Sequence, residues 1–382
     1  MKYLFELGRQ PEISTAELKA VFSHKNIELK NPITKSHFLT AEIDEDIDTK
    51  HIAKNLGGTM KIGQAIKNVG DPIKSIVHFL HENNSGKIHF AVSGEVTKKT
   101  GIAIKKQLKS LGRSVRFVET KNTASILHNN LVEKKSDFTV LENEIFVTEA
   151  IQDIEGFTKR DFGRPGSDDK SGMLPPKLAR IMINLSEIKP TDTLLDPFCG
   201  SGTVLTEALS LGFENILGSD ISQKAIDDTK QNVEWLNKKF DLTPKTFDLY
   251  TSDAGKLSTH IKPNTVHAIV SEPYMGKPLR GNENKETLKK QAKELGQLYI
   301  ESFTAFHKIL KKDGVAIFII PKFRHEDKWI SIDCLDEIKK IGFEILPLAP
   351  RPEKREMKGV DSLTYWRTKQ YVGREIWKFK KI

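Results

Sequence analysis

Cysteine is almost absent from this chain: Cys199 and Cys334 are the only two among 382 residues, and they form no Cys-x-x-Cys pair. That scarcity argues against a disulfide framework and against a cysteine-based metal site, and it suits a reducing, cytoplasmic setting. Long apolar runs are missing too. None approaches the roughly 20 residues of a membrane-spanning helix, and Met1-Lys-Tyr-Leu-Phe-Glu-Leu-Gly lacks a secretory pattern because Glu6 interrupts its short apolar run. Neither a membrane nor a metal is therefore expected as a partner. An acid excess is also lacking: 60 Lys and Arg stand against 51 Asp and Glu, a net charge of +9 that favours a polyanionic partner modestly. The length predicts two or three domains with ample core.

The most informative stretch is Thr193-Leu-Leu-Asp196-Pro-Phe198-Cys-Gly200-Ser-Gly202, followed by apolar residues at helical spacing from Thr203 to Leu211. It reads as the first strand, turn and helix of an open α/β nucleotide-binding sheet. Gly200 and Gly202 allow close approach of a ligand, and Asp196 at the strand's carboxyl end can accept from a cationic one. Asn215 to Asp220 is a second strand ending in an acid, Phe247 to Asp253 a third, and Val266 to Tyr274 a fourth ending in Ser271-Glu272-Pro273-Tyr274. The glycines are out of register with the dinucleotide pattern Gly-x-Gly-x-x-Gly, which argues against NAD and FAD.

The N-terminal part reads β-α-β-β-α-β. Strands are expected at Lys2 to Leu7, Asn26 to Lys30, His37 to Ile43 and Thr59 to Ile66, with helices from a Ser14/Glu17 capping box to Phe22 and from Thr49 to Leu56. This predicts a ferredoxin-like domain over 1–67. The second segment, 68–152, contains a helix whose Ile104, Leu108 and Leu111 share one face, with Lys105, Lys106 and Lys109 on the others. With Arg113 and Arg116 these make a candidate phosphate-binding surface. A Gly-, Asp- and Ser-rich linker is expected over 153–172, and a helix from Pro175-Pro176 through Leu185 opens the last domain, 173–382. Its sheet is expected to hold seven strands with a terminal antiparallel hairpin.

At the end of the fourth strand, Ser271-Glu272-Pro273-Tyr274 resembles the cluster with which amino-methyltransferases hold an amine, and the resemblance implies that it supplies acceptors there. The lone pair of a nucleobase amine is delocalised, so oxygens that accept its N–H hydrogens localise it, and an aromatic ring can stack on the base. Tyr274 offers the ring, and Ser271 or Glu272 the acceptor. Carbon methylation through a cysteine is disfavoured, because neither cysteine lies at the fourth strand.

The order of these strand ends resembles the Rossmann-like S-adenosylmethionine methyltransferases. That resemblance implies a cofactor set of Asp196, Phe198, Gly200 and Gly202 for the methionine part, Asp220 and Ile221 at the ribose, and Asp253 and Ala254 at the adenine. Ser271-Glu-Pro-Tyr is similar to the Asp/Asn-Pro-Pro-Tyr/Phe motif of amino-methyltransferases, departing from it by Ser for Asp or Asn and Glu for the first Pro. Together with Arg160-Asp161 and Leu174-Pro-Pro-Lys-Leu-Ala-Arg-Ile-Met-Ile-Asn-Leu185, the pattern resembles the THUMP-domain tRNA guanine-N2 methyltransferases. The resemblance implies a THUMP-like RNA-binding domain over 68–152, tRNA as partner, and transfer to guanine N2 by catalytic residues Ser271, Glu272, Pro273 and Tyr274. It also admits a small activating protein, which eukaryotic members require. The alternatives are a DNA amino-methyltransferase acting at adenine N6 or cytosine N4, and a catalytically silent RNA-binding protein.

Overall fold

The computed structural model describes residues 1–68, 70–96, 98–120, 123–166, 173–348, 361–368 and 370–382. They divide into two compact units, one of residues 1–14 and 25–153, the other of residues 15–24 and 154–382. Residues 167–172 of the expected linker lie outside the described residues. Among the described residues, no helix is long and apolar enough to cross a membrane.

The first unit is built on strands β1 (Lys2–Leu7), β2 (Lys30–Lys35), β3 (Phe38–Glu42), β4 (Thr59–Ala65), β5 (Ile88–Gly94), β6 (Val115–Phe117), β7 (Asp137–Leu141) and β8 (Glu144–Ile151). They form one sheet in the order β2-β3-β1-β4-β8-β7-β5-β6. The chain's helices up to this point are α1 (Pro11–His24), α2 (Thr49–Asn55), α3 (Pro72–Asn83), α4 (Lys98–Ser110) and α5 (Thr123–His128). Elements β1 to β4 with α1 and α2 follow the anticipated β-α-β-β-α-β order. The sheet continues past residue 67 because β4 pairs with β8 from Lys61 to Ala65. Two local expectations are corrected. Helix α1 starts at Pro11 rather than at a Ser14 cap, since proline is well suited to a first helical turn, and Ser14 Oγ donates to the Gln10 carbonyl within the chain's own turn. The strand expected over 26–30 lies instead at Lys30–Lys35, an edge strand mostly open to solvent and so without a readable apolar alternation.

Charge is buried in this unit with its counter-ions. Lys61 Nζ lies 3.1 Å from Glu6 and 3.2 Å from Asp137, and Thr148 donates to the same Asp137 carboxylate. Burial pulls the Lys61 ammonium down, but the two carboxylates outweigh it and the group is raised overall.

The second unit holds β9 (Thr193–Asp196), β10 (Asn215–Asp220), β11 (Thr246–Thr251), β12 (Val266–Ser271), β13 (Leu310–His325), β14 (Lys328–Ile330), β15 (Phe343–Leu346), β16 (Ser362–Tyr365) and β17 (Val372–Lys381). The order is β11-β10-β9-β12-β13-β17-β15, with β14 on β13 and β16 on β17. Strands β11 to β13 of that order run parallel, and β17 is antiparallel to both its neighbours. The seven expected strands are joined by two short ones, β14 and β16, of three and four residues, too short to show a period. The order reverses at β9 and β12, the switch point where an open α/β sheet opens a ligand crevice at its carboxyl edge.

Helices α6 (Ile154–Phe162), α7 (Pro176–Leu185), α8 (Thr203–Ser210), α9 (Gln223–Phe240), α10 (Lys285–Ile309) and α11 (Leu335–Ile341) complete the unit. The apolar face of α10 contributes Tyr299, Phe303 and Phe306 to a core with Phe318, Phe343 and Phe379, packed largely edge to face. The expected linker begins as helix α6. Its Arg160 Nε and Arg180 Nη2 of α7 each lie 2.6 Å from the fully buried Glu207 of α8, and both guanidiniums cover the Phe157 ring.

Candidate active site

The carboxyl ends of β9 to β12 open onto a cavity of about 1080 Å³ that contains Asp196, Phe198, Gly200, Asp220, Ile221, Asp253, Ala254, Glu272, Pro273 and Tyr274 in its lining. Ten of the anticipated site residues thus converge on one space. Two anticipated residues, Gly202 and Ser271, stand behind its wall.

Asp196 ends β9 almost fully buried. Its Oδ1 accepts from the Phe198 N–H at 3.2 Å and from the Ser271 hydroxyl at 2.6 Å. Burial is the main reason its carboxyl is raised to about 7; the Ser271 and Phe198 hydrogen bonds oppose the rise, and Asp220 and Glu272 add to it. Among the described residues no cation forms an ion pair with this carboxylate, and a buried carboxylate on a cavity wall suits a cationic ligand. The next turn is left-handed at Gly200 (φ +51°) and Gly202 (φ +81°). A side chain at Gly200 would meet nothing within 4 Å, so its missing Cβ leaves the cavity open. One at Gly202 would come within 2.9 Å of Thr229, so this glycine serves the turn and the packing of α9. Gly202→Ala is therefore expected to cost about 1–3 kcal/mol, read as a lowered melting temperature with the cavity's lining unchanged.

Asp220 ties the second strand end to the first loop: its Oδ2 accepts from the Gly200 N–H at 3.0 Å and its Oδ1 from the Ser222 N–H at 2.9 Å. Ile221 beside it is 75% exposed. Asp253 caps the turn at Ala254–Thr259 by accepting from the Gly255 N–H at 2.8 Å, and Ala254 is buried.

At β12 the acceptor roles separate. Ser271 is fully buried and its hydroxyl donates to Asp196, so it braces that carboxylate from behind the cavity lining. Glu272 lines the cavity and receives a fork from Arg374 of β17, with Nε to Oε1 at 2.5 Å and Nη2 to Oε2 at 3.4 Å. Burial raises the Glu272 carboxyl and Arg374 opposes the rise. Tyr274 is 55% exposed, and the buried Tyr299 O–H donates to its carbonyl at 2.8 Å, fixing the loop from below. Arg374 and Tyr299 were not legible as site residues: the first lies 102 positions from Glu272, and the second repeats at the spacing of an ordinary core helix. Both cysteines are buried. Burial pushes the Cys199 thiol well up and Cys334 to about 12, so neither supplies a thiolate nucleophile.

The anticipated basic surface lies in the first unit. Ile104 and Leu108 of α4 are buried, while Leu111 lies beyond the helix end and is 51% exposed. Lys106, Lys109 and Arg116 are exposed and Lys105 half-buried. Arg113 is engaged elsewhere, donating to the carbonyl of His81 at 2.8 Å and to that of Asn84 at the end of α3.

A profile of the RMKL-like methyltransferase domain family matches residues 166–340, and a DNA methylase profile matches residues 88–231. The probable tRNA (guanine(10)-N2)-dimethyltransferase of Methanothermococcus thermolithotrophicus is 32% identical over 145 residues, which cover 37% of this chain and 78% of that protein. This chain belongs to the tRNA guanine-N2 methyltransferase family. The family's tRNA (guanine(10)-N2)-dimethyltransferase from Methanothermobacter thermautotrophicus is 33% identical over 166 residues, 43% of this chain and 42% of that protein. The match thus spans about two fifths of the length of that relative. The crystal structure of TrmN from Thermus thermophilus aligns over all of both chains with a TM-score of 0.56 at 14% identity. It shares the fold: a Rossmann-like methyltransferase unit within an α/β protein.

Proposed function

We propose that this chain is an S-adenosylmethionine-dependent enzyme that methylates the exocyclic N2 amine of a guanine in tRNA. The observation that carries the reading is that an acceptor carboxylate, Glu272, and an exposed ring, Tyr274, open onto the same cavity as Asp196, Asp220 and Asp253. The donor fits these residues: Asp196 would meet the cationic methionine end, Asp220 the ribose hydroxyls, and Asp253 with Ala254 the adenine. When bound, S-adenosylmethionine supplies an electrophilic methyl on a sulfonium. The chain's own part is to hold the amine. Tyr274 stacks on the extruded base, and Glu272 accepts an amine hydrogen, which localises the nitrogen lone pair and aims it at the methyl. Ser271 and Tyr299 act from behind, one fixing Asp196 and the other the Tyr274 loop.

In this reading residues 1–67 and the THUMP-like 68–152 hold the tRNA, the exposed Lys106 and Lys109 meeting phosphates, with tRNA and a small activating protein as partners. Lys106→Glu with Lys109→Glu is expected to weaken tRNA binding at least about tenfold and to flatten its salt dependence by about two, while donor binding is unchanged. Arg113→Ala, by contrast, is expected to lower the melting temperature through the lost α3 carbonyl contacts. The DNA methylase match supports a second reading, transfer to adenine N6 or cytosine N4 in DNA.

The deciding experiment incubates the full chain with labelled S-adenosylmethionine and, in parallel, unmodified tRNA or unmethylated DNA, with and without cell extract, and analyses the nucleosides by mass spectrometry. N2-methylguanosine is expected. Donor binding with label in DNA and none in tRNA would replace this reading by the second.

A further inference from the structure

The family's usual Asp/Asn-Pro-Pro-Tyr cluster presents one acceptor followed by an inert ring. Here that acceptor's place is taken by Ser271, turned onto Asp196 at 2.6 Å, and the next position is a carboxylate on the cavity wall. That carboxylate is anchored from another strand. Arg374 lies on β17 opposite Pro321 of β13 and Tyr365 of β16, and its side chain and that of Glu272 are each about one-tenth exposed. The fork is uneven, with a short arm to Oε1 and a 3.4 Å arm to Oε2. Each carboxylate oxygen can accept twice, so Glu272 keeps accepting capacity after the arginine is satisfied.

Resting on the function proposed above, we propose that Arg374 is a positioning residue that holds Glu272 at the cavity wall, and that the pair selects guanine over adenine and cytosine. The chemistry of the base edges supplies the reason. Guanine places a ring N1–H beside its N2 amine, two donors side by side that one carboxylate can receive. Adenine and cytosine place a bare ring nitrogen beside their amines, and its lone pair faces a carboxylate in repulsion. A buried site made to receive two donors leaves an acceptor unpaired when one donor is missing, and such sites reject the wrong partner strongly.

The arrangement also has a titration signature. Among the described residues, the charged and titratable groups around Glu272 are Arg374 on β17, Asp196 on β9, Tyr299 on α10 and Tyr274 in its own loop. Arg374 is the cation among them, and it opposes the rise that burial imposes on Glu272.

The test uses the full chain and a tRNA whose methylated guanosine, located by mass spectrometry, is replaced by 2-aminopurine or 2,6-diaminopurine ribonucleoside. Both keep the 2-amino group and turn ring N1 into an acceptor. Wild type is expected to prefer guanine by at least about 100-fold in kcat/KM. Glu272→Gln, whose amide can turn a donor toward N1, is expected to narrow that preference at least tenfold. Arg374→Gln is expected to move the acidic limb of the kcat/KM profile to higher pH while leaving the dissociation constant for S-adenosylmethionine unchanged, and Arg374→Lys to restore the limb in part. Equal use of guanine and the analogues by wild type overturns the inference alone. So does a preference untouched by Glu272→Gln, or an Arg374→Gln variant that loses activity with its pH limb unmoved. No transfer by wild type to any tRNA guanine overturns the underlying function and the inference with it.

Discussion

Asp196→Asn sharply weakens S-adenosylmethionine binding and makes the protein without ligand more stable at pH 8. Both outcomes come from one buried carboxyl. Its folded value of about 7 lies above its ordinary 3.8, so the folded chain binds the extra proton between those values. Stability is fully present below about pH 4 and is lost as pH rises toward 7. At pH 8 the ionised group therefore costs on the order of a few kcal/mol, the usual result when a shift of this kind is converted at about 1.4 kcal/mol per unit. The isosteric amide removes that cost and still accepts from Ser271 and Phe198, so the melting temperature at pH 8 rises by several degrees and at pH 4 barely changes. The ligand's cation needs the ionised form. Affinity should fall at least 100-fold in the variant, about 3 kcal/mol for a lost buried charge contact. In wild type it should weaken by up to about tenfold per unit below pH 7. Calorimetric titration at pH 5.5, 6.5 and 8 measures all of this. A flat pH dependence in wild type, or retained binding in the amide variant, would remove Asp196 from the cationic end of the site.

The second large effect is on stability. Glu207 sits fully buried between Arg160 and Arg180, each 2.6 Å away. Burial depresses the Arg180 guanidinium and Glu207 is its main counterweight. Glu207→Gln removes the carboxylate that two buried guanidiniums over Phe157 share, and breaking a buried pair from one side costs about 3–5 kcal/mol. The melting temperature should drop by on the order of 10 °C. Scanning calorimetry with saturating donor gives a sharper version of the same test. Arg164, which donates to Thr203 at the cavity wall and to Met173, links α8 to the rim, so the variant should also bind S-adenosylmethionine more weakly. A drop under about 2 °C would show that the remaining partners of the arginines carry the cluster.

The chain by itself determined the parts that depend on short-range pattern. Apolar runs ending in Asp196 and Asp220 placed two strand ends, and the third strand stops at Thr251, two residues short of the expected Asp253. The glycines at 200 and 202 placed the left-handed turn, and the lack of cysteine chemistry at the fourth strand removed the covalent route. Each of these is written in a window of a few residues, because strand period, turn geometry and residue chemistry are local properties. The anticipated helix from Pro176 to Leu185 and the ferredoxin-like strand and helix order were legible for the same reason.

Tertiary structure decided what depends on partners far away in the chain. That Ser271 serves Asp196, that Glu272 carries Arg374, and that Arg113 donates to the carbonyl of His81 in α3 are pairings across 75, 102 and 32 positions. No local pattern encodes them, since sheet order chooses which strand end lies beside which. The stretch 154–162, polar enough to read as linker, is a helix because Arg160 finds a buried counter-charge 47 residues on. Residue types named the chemistry available at the sheet's edge. Packing alone settled which of two neighbouring oxygens, the Ser271 hydroxyl or the Glu272 carboxylate, is left facing the cavity.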